Sequence, residues 1–110
     1  MNISNSEAEI SFRFLDLDKF QAYSLVREIV DSSYEEQIES QRYIAKVPLT
    51  QQNFEEINDY YVRQRIEVQA CDIFVSANST SNIGVVEIPA IVNRMLKHID
   101  CKLTFYFTLV

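Results

Sequence analysis

Glycine is nearly absent: Gly84 is the only one in 110 residues. Loops that cradle phosphates need several glycines, because the backbone must turn sharply and approach the ligand closely. P-loop and dinucleotide-binding chemistry is therefore excluded. Tryptophan is missing, histidine occurs once, and cysteine and proline occur twice each. Two cysteines are too few for a disulfide scaffold, so Cys71 and Cys101 read as reduced thiols. Apolar runs extend for only a few residues, too short to cross a bilayer. Met1–Asn5 lacks the basic and apolar regions of a secretory leader, which predicts a cytoplasmic protein.

The scarcity extends to catalytic groups. His98 is the only histidine, so a general base for Cys101 or Ser32 would have to be this one residue. Its position in the last turn of a predicted helix reads instead as a cation facing terminal carbonyls. No serine sits in a Gly-x-Ser-x-Gly elbow. Cys71, His98 and Cys101 come nearest to a zinc set, yet closed structural sites use four ligands and usually a Cys-x-x-Cys pair. They read as packing residues. Glu35–Glu36 and Glu55–Glu56 are paired carboxylates, but neighbours in a helix do not face each other and cannot clamp one atom. Asp16-x-Asp18 lacks the length and central glycine of a calcium loop. The expectation is a protein that is not an enzyme and carries no metal or cofactor.

What the chain does have is acid. Sixteen acidic side chains face ten basic ones, a net charge of −6. Residues 1–60 hold twelve acids and five bases, net −7, whereas residues 61–110 hold four and five, net +1. Nucleic-acid binding requires clustered Lys and Arg, and anionic membrane surfaces have the same requirement. Both are disfavoured, and a basic protein partner fits the balance. Six tyrosines accompany the acids, with Tyr34 ahead of Glu35–Glu36 and Tyr60–Tyr61 behind Asp59. Tyrosine beside carboxylates suits a polar docking surface, although tyrosines also cover sheet and helix edges in ordinary domains.

Hydrophobic periodicity predicts one domain over residues 1–110. Ile10, Phe12 and Phe14 alternate as a strand. Ala22, Leu25, Val26, Ile29 and Val30 recur at helical spacing, with Asp16 or Asp18 as N-cap and an end near Ser32–Ser33. Tyr34–Ser40 is polar enough to read as a loop. Arg42–Val47 alternates with Tyr43, Ala45 and Val47 on one face, and Pro48 closes it. Thr50 is the N-cap candidate for a second helix, with Leu49 and Phe54 at staple spacing and Phe54, Ile57 and Tyr61 inward. Ile66–Ala77 reads as a strand, Asn78–Asn82 as a turn, and Ile83–Glu87 as a short returning strand. Pro89 opens a third helix bearing Ile91, Val92, Met95, Leu96 and Ile99. Lys102–Val110 alternates as the last strand. The order β-α-β-α-β-β-α-β predicts an α+β fold, a single mixed or antiparallel sheet with helices on one face.

Cys71–Val75, Val86–Pro89, the helix end at Leu96–Ile99 and Leu103–Tyr106 together resemble the close of a family of small bacterial α+β domains. The resemblance spans residues 68–110. The first half departs from it, lacking the family's glycine-containing turn after the first helix. By class, an acidic, glycine-poor α+β chain is similar to the immunity proteins of bacterial polymorphic-toxin and contact-dependent growth inhibition systems. That resemblance implies an inhibitor that binds and neutralises a cognate toxin, often a basic nuclease. The docking residues expected on this reading are Tyr34, Glu35, Glu36, Glu39, Glu55, Glu56, Asp59, Tyr60 and Tyr61, on a monomer or weak dimer. The alternative is a small-molecule-binding or enzymatic domain, for which Arg13, Asp72 and Tyr106 are the strand-borne polar candidates. Lys102–Val110 is a third candidate, for self-association, should it lie at a sheet edge.

Overall fold

A computed structural model describes residues 7–79 and 87–109. Its elements are β1 (Glu7–Leu17), α1 (Lys19–Glu28), β2 (Ser33–Gln37), β3 (Arg42–Pro48), α2 (Phe54–Arg63), a 3-10 turn (Val68–Ala70), β4 (Cys71–Ser79), α3 (Ala90–His98) and β5 (Lys102–Leu109). The strands form one mixed sheet in the order β2-β3-β1-β4-β5, antiparallel except for the parallel β4–β5 pair. The fold is α+β as expected. Five strands and three helices were also expected, but the hairpin falls before α2 and not after β4. The expected strand at Ile83–Glu87 lies outside the described residues except for Glu87. Both edges of β4 are already occupied, by β1 and by β5.

Alternation decides the core. Phe12 and Phe14 of β1, Tyr43, Ala45 and Val47 of β3, and Cys71 and Ile73 of β4 are buried on one face of the sheet. Against them pack Ala22, Leu25 and Ile29, Phe54, Ile57 and Tyr60, and Ile91, Val92 and Met95, one set from each helical region. A bulge re-phases β1: Phe14 pairs with Ala45 but Leu17 with Tyr43, one residue out of step. The extra residue turns Leu17 onto the helix side, where it is buried.

Local chemistry explains the helix boundaries. Asp18 accepts from the Gln21 amide at 2.8 Å, and the Gln21 side chain accepts from the Asp18 amide at 2.9 Å, a reciprocal cap. The far end of α1 stops at Glu28, short of the expected Ser32–Ser33. Ile29 is extended, Asp31 adopts a φ of 64°, and the Ser32 hydroxyl donates to the Ile29 carbonyl at 2.6 Å. Val30, expected in the core, lies past this end and is exposed, and Val26, also expected there, is exposed within α1. In α2 the N-cap position belongs to Asn53 and not to Thr50, whose hydroxyl accepts from the Asn53 amide at 3.2 Å. The Asn53 amide group donates to the carbonyls of Val30 and Pro48, tying the ends of α1 and β3 to the start of α2. Leu49 and Phe54 are both buried, as the staple spacing predicts. The strand expected from Ile66 begins only at Cys71, after the 3-10 turn.

Candidate functional site

The expected loop at Tyr34–Ser40 is mostly strand. Ser33–Gln37 pairs with Arg42–Lys46 as the outermost strand β2, and Ile38–Gln41 makes the turn. This changes the geometry of the acidic residues, because successive side chains on a strand point to opposite faces. Tyr34 and Glu36 lie opposite Ala45 and Tyr43 and point to the helix side. Glu35 lies opposite Ile44 and lines a shallow groove on the open side of the sheet with Arg13, Ser33, Ile44, Lys46 and Phe74. Glu35 and Glu36 therefore do not form one patch. Glu39 is exposed in the turn.

On the helix side, Tyr34 meets two further tyrosines. Ring centroids are 5.6 Å apart for Tyr23–Tyr34, 5.5 Å for Tyr34–Tyr43 and 6.4 Å for Tyr23–Tyr43. Tyr43 is the buried base of this trio, and burial, then the Glu36 carboxylate, push its phenol above the ordinary range. Tyr23 and Tyr34 remain exposed. Helix α1 presents Phe20, 83% exposed, and Val26; Val30 follows the helix, and the hairpin turn carries Ile38, 91% exposed. α1 and the β2–β3 hairpin thus leave two large apolar side chains in water as well as two accessible tyrosines. Tyr34 was expected there. Phe20, Tyr23, Val26, Val30 and Ile38 were not, although Phe20 and Ile38 already stand outside the hydrophobic period of their segments.

The acids of α2 belong to a different place. Helix α1 separates them from β2: its Tyr23 touches Tyr34 on one side, while its Gln21 and Glu28 touch Tyr60 and Arg63 on the other. Glu55, Glu56 and Asp59 line a groove with Glu28, Ile29 and Arg63. Arg63 reaches both Glu28 and Asp59, so two of these carboxylates are already partly neutralised. Those hydrogen bonds hold the guanidinium still more firmly ionised. Tyr60 requires a correction as a docking residue, since its exposure is 0%. Its ring packs edge-on to Phe14 at 5.0 Å and its hydroxyl donates to the Gln21 carbonyl at 2.7 Å. The inward residue of α2 is thus Tyr60, whereas Tyr61 is half-buried beside the core, where burial raises its phenol.

The polar trio offered for a ligand site does converge, but on a closed network. Arg13 stands opposite Asp72 and donates twice to it, at 2.9 and 2.6 Å, and Thr104 adds a third bond at 2.8 Å. The Asp72 side chain is only 2% exposed. The guanidinium also lies 4.0 Å from the Phe74 ring centre, and Phe74 stacks with Tyr106 at 6.4 Å. These contacts engage Arg13 and Asp72 in bracing three strands, while Tyr106 joins them through its ring alone.

The two thiols face each other across the starts of β4 and β5. The Cys71 thiol donates to the Val68 carbonyl at 3.4 Å. The closeness of the two sulfurs, ahead of burial, raises Cys71 and lowers Cys101. His98 points elsewhere: its Nδ1 lies 3.0 Å from the Arg94 carbonyl and its ring is edge-on to Phe54. Cys71 is buried and Cys101 partly accessible. Iodoacetamide added to the native protein should therefore label Cys101 first, increasingly with pH. Peptide mapping that finds Cys71 labelled at an equal rate would refute this ordering.

Comparison with family models, curated proteins and solved structures yields no match to this chain. No described helix is long and apolar enough to cross a membrane.

Proposed function

We propose that this chain is an acidic protein-binding inhibitor of the immunity type, acting in the cytoplasm by docking a basic toxin domain, such as a nuclease. The supporting observation is the surface built by α1 and β2. Exposed Phe20, Tyr23, Tyr34 and Ile38 supply a desolvatable centre, and Glu36 and Glu39 supply a negative rim. Aromatic anchors carry the binding energy of most protein interfaces, and rim charges set the association rate. The second acidic set, Glu55, Glu56 and Asp59, extends the negative field beyond α1 and steers the same cationic partner. With all the excess negative charge in residues 1–60, this is the half of the chain a basic domain approaches.

The partner to test is the carboxy-terminal domain of whatever protein the immediately upstream reading frame encodes. The double variant Glu36→Lys, Glu39→Lys should associate roughly ten times more slowly at low salt, with a flatter dependence on ionic strength. Phe20→Ala and Tyr34→Ala should act differently, accelerating dissociation with little change in association. No binding to that domain, or unchanged rates in all these variants, would overturn the reading.

A further inference from the structure

The opposite edge of the sheet carries a second, differently built surface. Strand β5 is outermost in the order β2-β3-β1-β4-β5, and among the described residues only β4 pairs with it. Its register places Leu103, Phe105 and Phe107 beside Ile73, Val75 and Ala77 of β4. The β4 residues are buried, whereas Phe105 is 58% and Phe107 49% exposed. On the open side Tyr106 is 57% exposed. The apolar layer thus continues one strand further than the helices cover it.

We propose that β5 pairs antiparallel with β5 of a second copy of this chain, joining two sheets into one. Charge selects this occupant. A chain of net charge −6 repels its own copy over most of its surface, and β2 would bring Glu35 and Glu36 against the same residues of the partner. Strand β5 contains no acid and a single charge, Lys102, at its first position. Charged side chains along an outer strand are a common guard against self-pairing, and past Lys102 at its start β5 has none. Antiparallel pairing about a two-fold axis near Phe105 or Tyr106 keeps like faces together. Leu103, Phe105 and Phe107 then meet the same residues of the second copy, while Thr104 and Tyr106 meet across the other face. Area sets the strength. Aromatic side chains bury about 150–250 Å² each, and these are about half exposed, so the six rings of the two copies offer roughly 450–750 Å² in total. Stable interfaces begin at about 1,000 Å² in total, so main-chain pairing brings this contact only to the weak end of that class. The dimer is a reversible one that forms at high protein concentration.

Sedimentation from low-micromolar to near-millimolar protein should show the mass rising from 12.9 kDa toward twice that value. Hydrogen exchange should become slower with concentration in Lys102–Leu109 and not in β2. Phe105→Glu and Phe105→Lys should each stay monomeric, while their equimolar mixture regains the dimer, a rescue that misfolding cannot produce. A monomer at every concentration overturns the proposal, as does a dimer whose concentration-dependent protection lies on α1 and β2. Should neither variant fold, the concentration dependence of β5 protection in the unaltered chain decides. Because β2 and β5 are at opposite edges, loss of this dimer leaves toxin docking unaffected, and the two readings fail separately.

Discussion

Replacing Arg13 with alanine is expected to destabilise the protein by about 3–5 kcal/mol, because it strands a buried carboxylate without its counter-charge. Asp72 is 2% exposed at the side chain and receives two of its three hydrogen bonds from Arg13. The pair joins β1, the central strand, to β4, and its loss loosens that junction as well as removing the counter-charge. For a domain of this length the midpoint of thermal unfolding should fall by roughly 12–20 °C. Replacing both partners by apolar residues, as in Arg13→Met with Asp72→Leu, removes the stranded charge and should recover most of the loss. Urea unfolding of the two single variants and the double variant measures the coupling directly. A loss below about 1 kcal/mol for Arg13→Ala would place the pair among ordinary surface ion pairs.

The second large effect is expected at Tyr60. Tyr60→Ala removes a fully buried ring that contacts Phe14 and should cost about 3–5 kcal/mol. Tyr60→Phe keeps the ring and deletes only the bond to the Gln21 carbonyl, so about 1 kcal/mol is expected at neutral pH. Alkaline titration distinguishes the hydroxyl from the ring. Burial pushes the Tyr60 phenol from 10.0 up to about 12. A raised folded-state value means that the neutral form is favoured by folding. Its contribution is complete below pH 10 and is lost as pH rises from 10 to about 12. Tyr60→Phe should therefore be less stable than the parent at pH 7 and show a shallower decline between pH 10 and 12. The slope becomes shallower, not flat, because Tyr43 and Tyr61 are raised in the same direction. Parallel stability curves for parent and Tyr60→Phe across that window would exclude this role.

Much of the fold was legible because β3, α3 and β5 have unmistakable periods. Tyr43, Ala45 and Val47 alternate, and Ile91, Val92 and Met95 share one helical face, so their burial follows from local spacing alone. Tyr34–Ser40 was not legible. Ser-Tyr-Glu-Glu-Gln has no apolar alternation, and it is a strand because β3 offers an open edge to pair with. In α2 both Tyr60 and Tyr61 are at the rim of the apolar face, and only the position of Phe14 and the Gln21 carbonyl selects Tyr60 for burial. Val26 and Val30 were misplaced for a related reason. Their spacing continues the helical stripe, but α1 ends before Val30, and Leu25 and Ile29 fill the available contact.

By itself the sequence determined the class of fold, the absence of glycine-rich phosphate motifs and the uneven distribution of charge, since these depend on composition and short-range period. Only the tertiary structure decided that Glu35 and Glu36 face opposite ways, that α1 divides the acids into two sets, and that Phe20 and Ile38 remain in water. Strand pairing and helix docking join residues far apart in the chain, and a one-residue change of register moves a side chain from core to solvent. That choice is made by the partner surface, which no local pattern contains.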